Sequence, residues 1–478
     1  MATELPSRHL PAVPYADLPE PRGLRHYLGA SVILTATALG SGELVLWPYI
    51  TTQVGLGIMW LAVVGITMQF FLNMEVERYT LITGETAVTG FSRLWLPWGV
   101  IFVLGAILPN LWPGWASSGA TVFTFIFDLG DSAVPVVATI FLLSIGLAIT
   151  VSPVIYQTLE KIEGVMVVLI LIFVVAAIVL ATKGSAWAAV VTDAPQGAAR
   201  LPDIVSQIGA ASLFGAIVFA GAGGANNLVQ SNYIRDKGMG MGVRIPNIVS
   251  PVTGQEVAAP SLGYMAPATE ENKRRWRQWW RIANQEQLIT FWFIGVLLLI
   301  SLAVLVYSTV GVNPALESEL TFIRAEGRAL GEIVAPWFTT AFYLAGFLML
   351  FSTNIGVIDY VSRLAGDSLK VTFLKESTFW SESKIYITAV WIMIVTGSGI
   401  IWTGIEPVVL LVISAAGGGF VMAFYSVLII MINRRFLPQF ARLRGWRLPV
   451  MIAIAVFYIA FSVFLIYQMA SAGPASVA

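Results

Sequence analysis

Long apolar stretches alternate with short polar segments along almost the whole chain. Each stretch is close to the ~20 residues that an α-helix needs to cross the hydrocarbon core of a bilayer. They fall at about 29–54, 57–80, 97–127, 133–155, 163–182, 207–234, 285–311, 336–364, 385–403, 406–432 and 447–470. The pattern predicts an all-α membrane protein with about eleven transmembrane helices.

Composition agrees with this pattern and excludes several chemistries. Hydrophobic residues make up 57% of the 478 residues and charged residues only 11%, whereas a soluble domain is about 25% charged. The chain has no cysteine, and its two histidines, His9 and His26, precede the first apolar stretch. Because thiols and imidazoles are then missing from the membrane, nucleophilic and acid-base catalysis have few candidates, and we do not expect an enzyme.

Basic residues are distributed unevenly between alternate connecting segments. If the N-terminus is cytoplasmic, nearly all Lys and Arg residues fall in cytoplasmic segments, as the positive-inside rule requires. The sequence therefore predicts a multi-pass protein of the cell membrane with a cytoplasmic N-terminus and an extracytoplasmic C-terminus. Residues 1–28 are polar and rich in proline, and we expect them to form an irregular tail.

The largest polar insert, about residues 235–284, ends in a segment where Arg and Trp alternate. Such a segment resembles a surface for single-stranded nucleic acid, on which bases stack. Beside a membrane span, an interfacial helix is favoured, with the indole rings at headgroup level and the guanidinium groups facing anionic lipid. We therefore expect lipid and no nucleic acid as partner. The residues concerned are Trp276, Trp279, Trp280, Arg274, Arg275 and Arg277.

Glycine-rich interruptions occur at matching places in the first and the sixth stretch. They read GSGE at 40–43 and AGAGGANN at 220–227. The second interruption lies five spans after the first. Because five is odd, a five-span unit that occurs twice is inverted in the membrane the second time. Paired broken helices in such a repeat are the best sequence indication of a substrate site near the bilayer midplane.

Glu43 gives this site its charge. A carboxylate at the centre of a membrane helix costs at least about 2.5 to 3.5 kcal/mol, so a ligand or a polar pocket has to compensate for it. Close packing is the alternative explanation for the glycines, but it leaves the polar residues beside them unexplained. The predicted binding residues are Gly40, Ser41, Gly42, Glu43, Gly223, Gly224, Ala225, Asn226, Asn227 and Gln230.

The eighth stretch carries a further polar group. Ser352, Thr353 and Asn354 are consecutive at membrane depth. They either bond back to their own helix or provide oxygens for a second cation site.

Charged residues near the cytoplasmic ends of two stretches are candidates for a gate. Glu75, Glu77 and Arg78 close the second stretch and form either a salt-bridged gate or no functional group. Asp359 and Arg363 have the spacing of a helical ion pair, which favours a structural role.

The order of the spans and several short segments resemble the Nramp divalent-metal transporters of the LeuT-like superfold. The segments are the interrupted first span, QVGLGIMW, ERYTLITGET and NNLVQS. The resemblance implies a LeuT-like 5+5 inverted repeat with broken helices 1 and 6. It also implies the following division: a cytoplasmic tail at 1–28, a first five-helix repeat at 29–182, an extracellular loop at 183–206, a second repeat at 207–432 that includes the cytoplasmic loop 235–284, and a basic loop with an eleventh helix at 433–478.

The binding motifs depart from those of that family, which suggests a divergent subgroup. The family's Asp-Pro-Gly-Asn is replaced by 40–43, and its Met-Pro-His falls on Gly224, Ala225 and Asn226. Loss of the thioether and the imidazole leaves a hard, oxygen-only site, which suits hydrated Mg²⁺ better than softer metals. The third stretch has no acid at 112–119, where the family carries protons, so we expect weak or absent proton coupling.

Amino acid transporters of the same superfold provide the rival interpretation. GSG followed by Pro48 is similar to the motif with which they hold a substrate carboxylate on backbone N–H groups. Ser352 with Thr353 resembles their sodium site. The predicted partner is thus an inorganic cation or a small organic solute, and the only expected bound ion is the transported Mg²⁺ or a coupling Na⁺.

Overall fold

The computed structural model describes residues 5–111, 113–252, 262–316, 319–404 and 407–472. These residues form helices and no β-strand, apart from two isolated bridges. Ten helices are long and apolar enough to cross a membrane, and an eleventh is added if the pair Leu201–Ile208 and Ala210–Val218, bent by 100°, is counted as one span. The prediction of an all-α multi-pass membrane protein is confirmed.

We number the spans in chain order. They are Val32–Val54 (one), Leu56–Thr83 (two), Trp98–Phe127 (three), Asp131–Val151 (four), Ile155–Ala181 (five), Ala210–Val218 with Asn226–Asp236 (six), Glu270–Thr309 (seven), Pro336–Thr372 (eight), Glu382–Ile401 (nine), Pro407–Arg435 (ten) and Arg447–Ala472 (eleven). Shorter helices connect them at Leu24–Tyr27, Ala87–Leu94, Gly184–Thr192, Ala194–Ala199, Leu201–Ile208, Gly240–Arg244 and Glu319–Ile333.

Span one lies at the centre of the helix bundle. In its most apolar window 94% of the residues are buried in the protein, against 28% in span four and 33% in span five. Apolar side chains on spans four and five, such as Ile140 and Ile172, are more than half exposed and form a lipid-facing surface. The span that carries Glu43 is therefore surrounded by protein.

The N-terminal tail is irregular, as expected, but it packs against the bundle. Leu18 is fully buried, and its amide donates to the side-chain oxygen of Asn272 at 2.9 Å. Arg93 donates to the carbonyl oxygens of Pro6 and Pro11 at 2.9 and 3.0 Å. The tail thus covers polar main chain and side chains at one end of the bundle.

The Arg- and Trp-rich segment is a helix, but its expected position at the lipid headgroups is wrong for two of its tryptophans. Trp276 and Trp279 are at most 5% exposed, and the N-terminal tail covers Trp279. Trp279 donates to the carbonyl oxygen of Pro19 at 2.8 Å. The Arg78 guanidinium lies 4.1 Å from the ring centroid of Trp280, which places the third indole against protein as well.

Candidate functional site

The interruption in span one is a π-helical segment. Regular helix runs over Val32–Ala38 and Trp47–Val54, and the segment Leu39–Leu46 between them has the wider π-helical turn. Pro48 has no N–H to give to the preceding turn, which favours a change of hydrogen-bond pattern at this point. The chain therefore widens here instead of unwinding, and it remains helical through the predicted site.

Span six is broken outright. Helix Ala210–Val218 ends, residues 219–225 are non-helical, and helix Asn226–Asp236 begins. Gly221, Gly223 and Gly224 have φ angles of 129°, 68° and 57°. Residues with a Cβ rarely adopt such angles, so the glycines of the motif are what permits the break.

The two interrupted segments contact each other through their backbones. A Cβ atom on Gly42 would lie 1.6 Å from the carbonyl oxygen of Phe219, the first residue of the break in span six. Nearby, the Trp47 indole donates to the carbonyl oxygen of Ala216 at 2.9 Å. The structure thus brings together the two motifs that the sequence placed 180 residues apart.

Glu43 lies inside the protein and does not face lipid. Its side chain is fully buried, and within the described part of the chain neither carboxylate oxygen has a hydrogen-bond partner. The adjacent Ser41 belongs to the π-helical segment, but its side chain lies outside the described structure. Among the described residues no three His, Cys, Asp or Glu side chains are grouped to hold a metal ion. Any cation at Glu43 would therefore depend on main-chain and amide oxygens as well.

Gln69 of span two holds the break in shape, and sequence reasoning missed it. Its side-chain oxygen accepts from the amide of Gly223 at 2.9 Å, and its nitrogen donates to the carbonyl of Val218 at 2.7 Å. One turn further along, Asn73 accepts from Asn227 at 2.7 Å. The sequence does contain a pattern that points to Gln69. Gln69, Asn73 and Glu77 are each four residues apart, which places three polar side chains on one face of an apolar helix.

The three polar residues predicted after the break do not converge on one point. Asn227 faces Asn73, and Gln230 donates to the carboxylate of Glu77 at 2.9 Å, one turn further along. Asn226, at the first position of the half-helix, is 1% exposed, and among the described residues its amide finds no hydrogen-bond partner. Of the three, Asn226 is therefore the one whose side chain has neither its oxygen nor its nitrogen paired among the described residues.

The polar group of span eight contacts the interrupted part of span one. The Thr353 hydroxyl accepts from the amide of Gly40 at 2.8 Å. Ser352 donates to the carboxylate of Glu163 and lies 3.3 Å from the carbonyl oxygen of Ala36. The side-chain nitrogen of Asn354 is buried without a partner in the described structure. Ser352 and Thr353 therefore bond to other spans and do not only close back on their own helix.

Glu163 is a second acid at this place that the sequence analysis did not identify. The apolar stretch of span five was expected to begin at 163, but the helix begins at Ile155. This difference of eight residues, about two turns, moves Glu163 from the membrane edge into the helix. The residue is fully buried, and its second carboxylate oxygen has no partner among the described residues.

Charged residues near the ends of spans two and eight form ion pairs. Of the two acids predicted beside Arg78, Glu75 pairs with it at 2.6 Å and Glu77 does not, because three residues along a helix bring two side chains to one face and one residue does not. Asp359 and Arg363 do form a buried ion pair, at 2.8 Å.

Further charged contacts join this pair to other spans. Arg363 also contacts Asp236 at the end of span six. Arg235, next to Asp236, reaches Asp367 of span eight at 2.9 Å and Glu382 of span nine at 3.0 Å. The result is a buried ionic network that ties one end of span six to spans eight and nine.

Two aromatic rings lie beside the break. The rings of Trp115, in span three, and Phe219 are 6.0 Å apart between centroids, and both side chains are at most 5% exposed. Phe219 directly precedes the glycine-rich motif, which itself contains no aromatic residue.

No protein-family model matches the chain, and no curated protein sequence matches it. Solved structures do match over nearly the whole length. A mutant of the Eremococcus coleocola manganese transporter aligns with a TM-score of 0.66 and 12% identity, over 97% of this chain and 92% of that one. MhsT in complex with L-phenylalanine aligns with a TM-score of 0.52 and 11% identity, over 92% and 98%.

A third match is Mhp1, a nucleobase-cation-symport-1 family transporter in a closed conformation with bromovinylhydantoin bound. It aligns with a TM-score of 0.50 and 14% identity, over 97% of this chain and 96% of that one. Identities this low bear on the fold and not on the substrate. The chain is thus a multi-pass membrane protein with the LeuT-like fold, in which spans one and six carry the interruptions.

Proposed function

We propose that the chain is a secondary transporter or facilitator of a hard divalent cation, with Mg²⁺ as the favoured ion. The observation that carries this proposal is the position of Glu43: fully buried, without a hydrogen-bond partner among the described residues, on the π-helical segment that contacts the break in span six. A carboxylate in such a place is costly unless a positive charge joins it.

The chemistry of the surrounding donors favours a hard ion. Besides Glu43, the break in span six offers main-chain carbonyls and the free amide of Asn226. Neither interrupted segment contains a methionine, histidine or cysteine. Oxygen donors suit Mg²⁺, which keeps several of its water molecules, whereas softer transition metals gain more from nitrogen and sulfur ligands.

The test is Mg²⁺ uptake into proteoliposomes by wild-type protein and by Glu43→Gln. The variant keeps the shape of the side chain and removes its charge, so we expect uptake to be lost and the thermal unfolding profile to persist. Glu332→Gln makes the same chemical change at an exposed position and serves as the matched control. Unchanged flux in Glu43→Gln would discard the proposal.

Weak or absent proton coupling remains part of this proposal and needs its own measurement. The argument rests on the missing acids of span three, whereas the structure reveals a buried acid, Glu163, in span five. We expect Mg²⁺ uptake without acidification of the vesicle lumen. Substrate-dependent acidification that disappears in Glu163→Gln would show that this carboxylate carries a proton.

A sodium-coupled transporter of an amino acid or another small organic solute is the second candidate. It is favoured by the oxygens that Ser352, Thr353 and Glu163 bring next to the carbonyl of Ala36, a set that suits Na⁺. The aromatic rings beside the break would suit an organic substrate.

Thermal unfolding with Mg²⁺, Mn²⁺, Na⁺ and a set of amino acids separates the two candidates. A ligand at 100 times its Kd stabilises the folded state by about 2.7 kcal/mol. Stabilisation by an amino acid and by no divalent ion would favour the second candidate.

The cytoplasmic N-terminus and extracytoplasmic C-terminus are also part of the proposal. Because the chain has no natural cysteine, a single cysteine introduced at the exposed Gln439, between spans ten and eleven, reports on one side only. We expect it to react with a membrane-impermeant maleimide after permeabilisation and not in intact cells. Labelling in intact cells would reverse the orientation.

A further inference from the structure

A second buried acidic cluster lies away from Glu43, where the start of span one meets spans two, six and seven. It consists of Ser31, Glu77, Gln230, Glu286 and Gln287, and each of these side chains is fully buried. Glu77 is eight residues, or about 12 Å, further along span two than Gln69, which holds the break in span six. The cluster therefore lies between the break and the side of the membrane that carries the N-terminal tail.

Hydrogen bonds connect the two carboxylates of the cluster. The side-chain nitrogen of Gln230 donates to Glu77 at 2.9 Å and to the hydroxyl of Ser31 at 2.8 Å. That hydroxyl donates to Glu286 at 2.6 Å. Glu286 is the nearby carboxylate that acts electrostatically on Glu77, and the amide of Gln287 faces Glu77. Residues from four spans thus converge on one buried pair of acids.

The two acids differ in how well they are satisfied. Glu286 accepts from the amide and the hydroxyl of Ser31, at 3.0 and 2.6 Å, and from the hydroxyl of Thr290 at 2.8 Å. Three donors stabilise its charged form. Glu77 accepts from Gln230 through one oxygen, and in the described part of the chain its other oxygen has no partner.

The unsatisfied side-chain atoms of Glu77, Gln230 and Gln287 are three acceptor oxygens and one donor, the nitrogen of Gln287. The side-chain oxygens of Gln230 and Gln287 are buried and, like the second oxygen of Glu77, find no donor among the described residues. No ion pair to Glu77 or Glu286 occurs in that part of the structure either. A proton would satisfy only one of these three oxygens, whereas a cation can coordinate all of them at once.

We propose that Glu77, Gln230 and Gln287, with Glu286 as a second negative charge, form a second binding site for a hard, oxygen-coordinated cation. A carboxylate and two amide oxygens are ligands that such ions prefer. The polar face of span two, formed by Gln69, Asn73 and Glu77, links this site to the break. That the ion is the transported one rests on the proposed function, whereas the existence of the site does not.

The test is the number of Mg²⁺ ions bound by purified protein, measured by isothermal titration calorimetry. We expect two ions per chain for wild type, one for Glu77→Gln and one for Glu43→Gln. A Glu77→Gln protein that binds as many ions as wild type overturns this inference. A Glu43→Gln protein that still binds two ions, while Glu77→Gln binds one, overturns the Mg²⁺ site at Glu43 and leaves the second site standing.

A second variant keeps the inference testable if Glu77→Gln does not fold. Gln287→Leu retains both carboxylates and removes the side-chain amide with its oxygen, so we expect at least about tenfold weaker binding at one of the two sites, which corresponds to about 1.4 kcal/mol. Gln285→Leu is the matched control, because Gln285 is exposed on the opposite side of the same helix turn. Equal affinities for both leucine variants and wild type would overturn the role of Gln287 and with it the proposed ligand set.

Discussion

Replacement of Gly42 by alanine is the sharpest test of how spans one and six meet. The added Cβ atom would lie 1.6 Å from the carbonyl oxygen of Phe219 and 2.6 Å from its carbonyl carbon. Ordinary contacts begin at 3.4 Å, so the nearest atom is too close by about 1.8 Å. Because that atom belongs to the backbone, no rotation of a side chain can relieve the clash.

The expected loss of stability follows from this overlap between the added Cβ atom and the backbone of Phe219. Overpacking a well-packed interior costs about 1 to 3 kcal/mol, and more where the neighbour cannot move. Here one of the two interrupted segments would have to move away from the other, at the place where Glu43 is held. We therefore expect at least about 3 kcal/mol of destabilisation in Gly42→Ala, the upper end of that range, together with loss of transport.

The assay is thermal unfolding of purified protein, with uptake into proteoliposomes as the functional readout. Gly164→Ala is the matched control, because no atom lies within 4 Å of the Cβ position of this glycine in span five. Alanine favours helix over glycine by about 0.8 to 1.0 kcal/mol, so the control should unfold at the same or a higher temperature. If Gly42→Ala unfolds at the same temperature as the control and transports normally, the close contact between the two segments is refuted.

Three further predictions concern other parts of the site and its surroundings. Arg363→Ala leaves the buried carboxylate of Asp359 without its cation and Asp236 with Arg235 alone, and it should cost about 3 to 5 kcal/mol of stability; a wild-type unfolding temperature would contradict the ionic network. Thr353→Val leaves the amide of Gly40 without its acceptor and should cost about 1 to 3 kcal/mol, whereas Thr353→Ser should restore most of it. Burial raises the pKa of Glu326, in the helix before span eight, well above its ordinary value. Its folded form therefore retains a proton that the unfolded chain releases between the ordinary and the raised pKa, and stability falls as pH rises through this window. Glu326→Gln should accordingly raise the unfolding temperature at pH 8 and much less at pH 5; an equal effect at both pH values would argue against this reasoning.

The helical membrane architecture could be predicted from the sequence because it depends on local properties. Runs of about 20 apolar residues have few alternatives to a membrane helix, and the positions of Lys and Arg limit how the runs alternate. The glycines of span six likewise predicted a break, because Gly221, Gly223 and Gly224 adopt φ angles that other residues avoid. The ends of a helix are harder to predict where a polar residue lies within it. Glu163, for example, lies inside span five, although the apolar stretch begins only at this residue.

The partners of the polar side chains could not be predicted in the same way. The sequence places Arg78 near both Glu75 and Glu77 and does not decide between them. In the structure Arg78 pairs with Glu75, and Glu77 accepts a hydrogen bond from Gln230. The Trp-rich helix was assigned to the membrane surface because its sequence gives no sign that the N-terminal tail would cover Trp279. These outcomes depend on which helices pack side by side, and hydropathy along one chain does not contain that information.

What the sequence determined by itself is the number and type of spans and the two places where span one and span six depart from a regular helix. The tertiary structure decided the rest: that the departure in span one is π-helical, that Gly42 meets Phe219, and that Glu43 is buried without a partner among the described residues. The physical reason is the distance along the chain over which each property is determined. Helix formation and membrane insertion respond to neighbours within a few turns, whereas the surroundings of a buried carboxylate are set by residues up to hundreds of positions away.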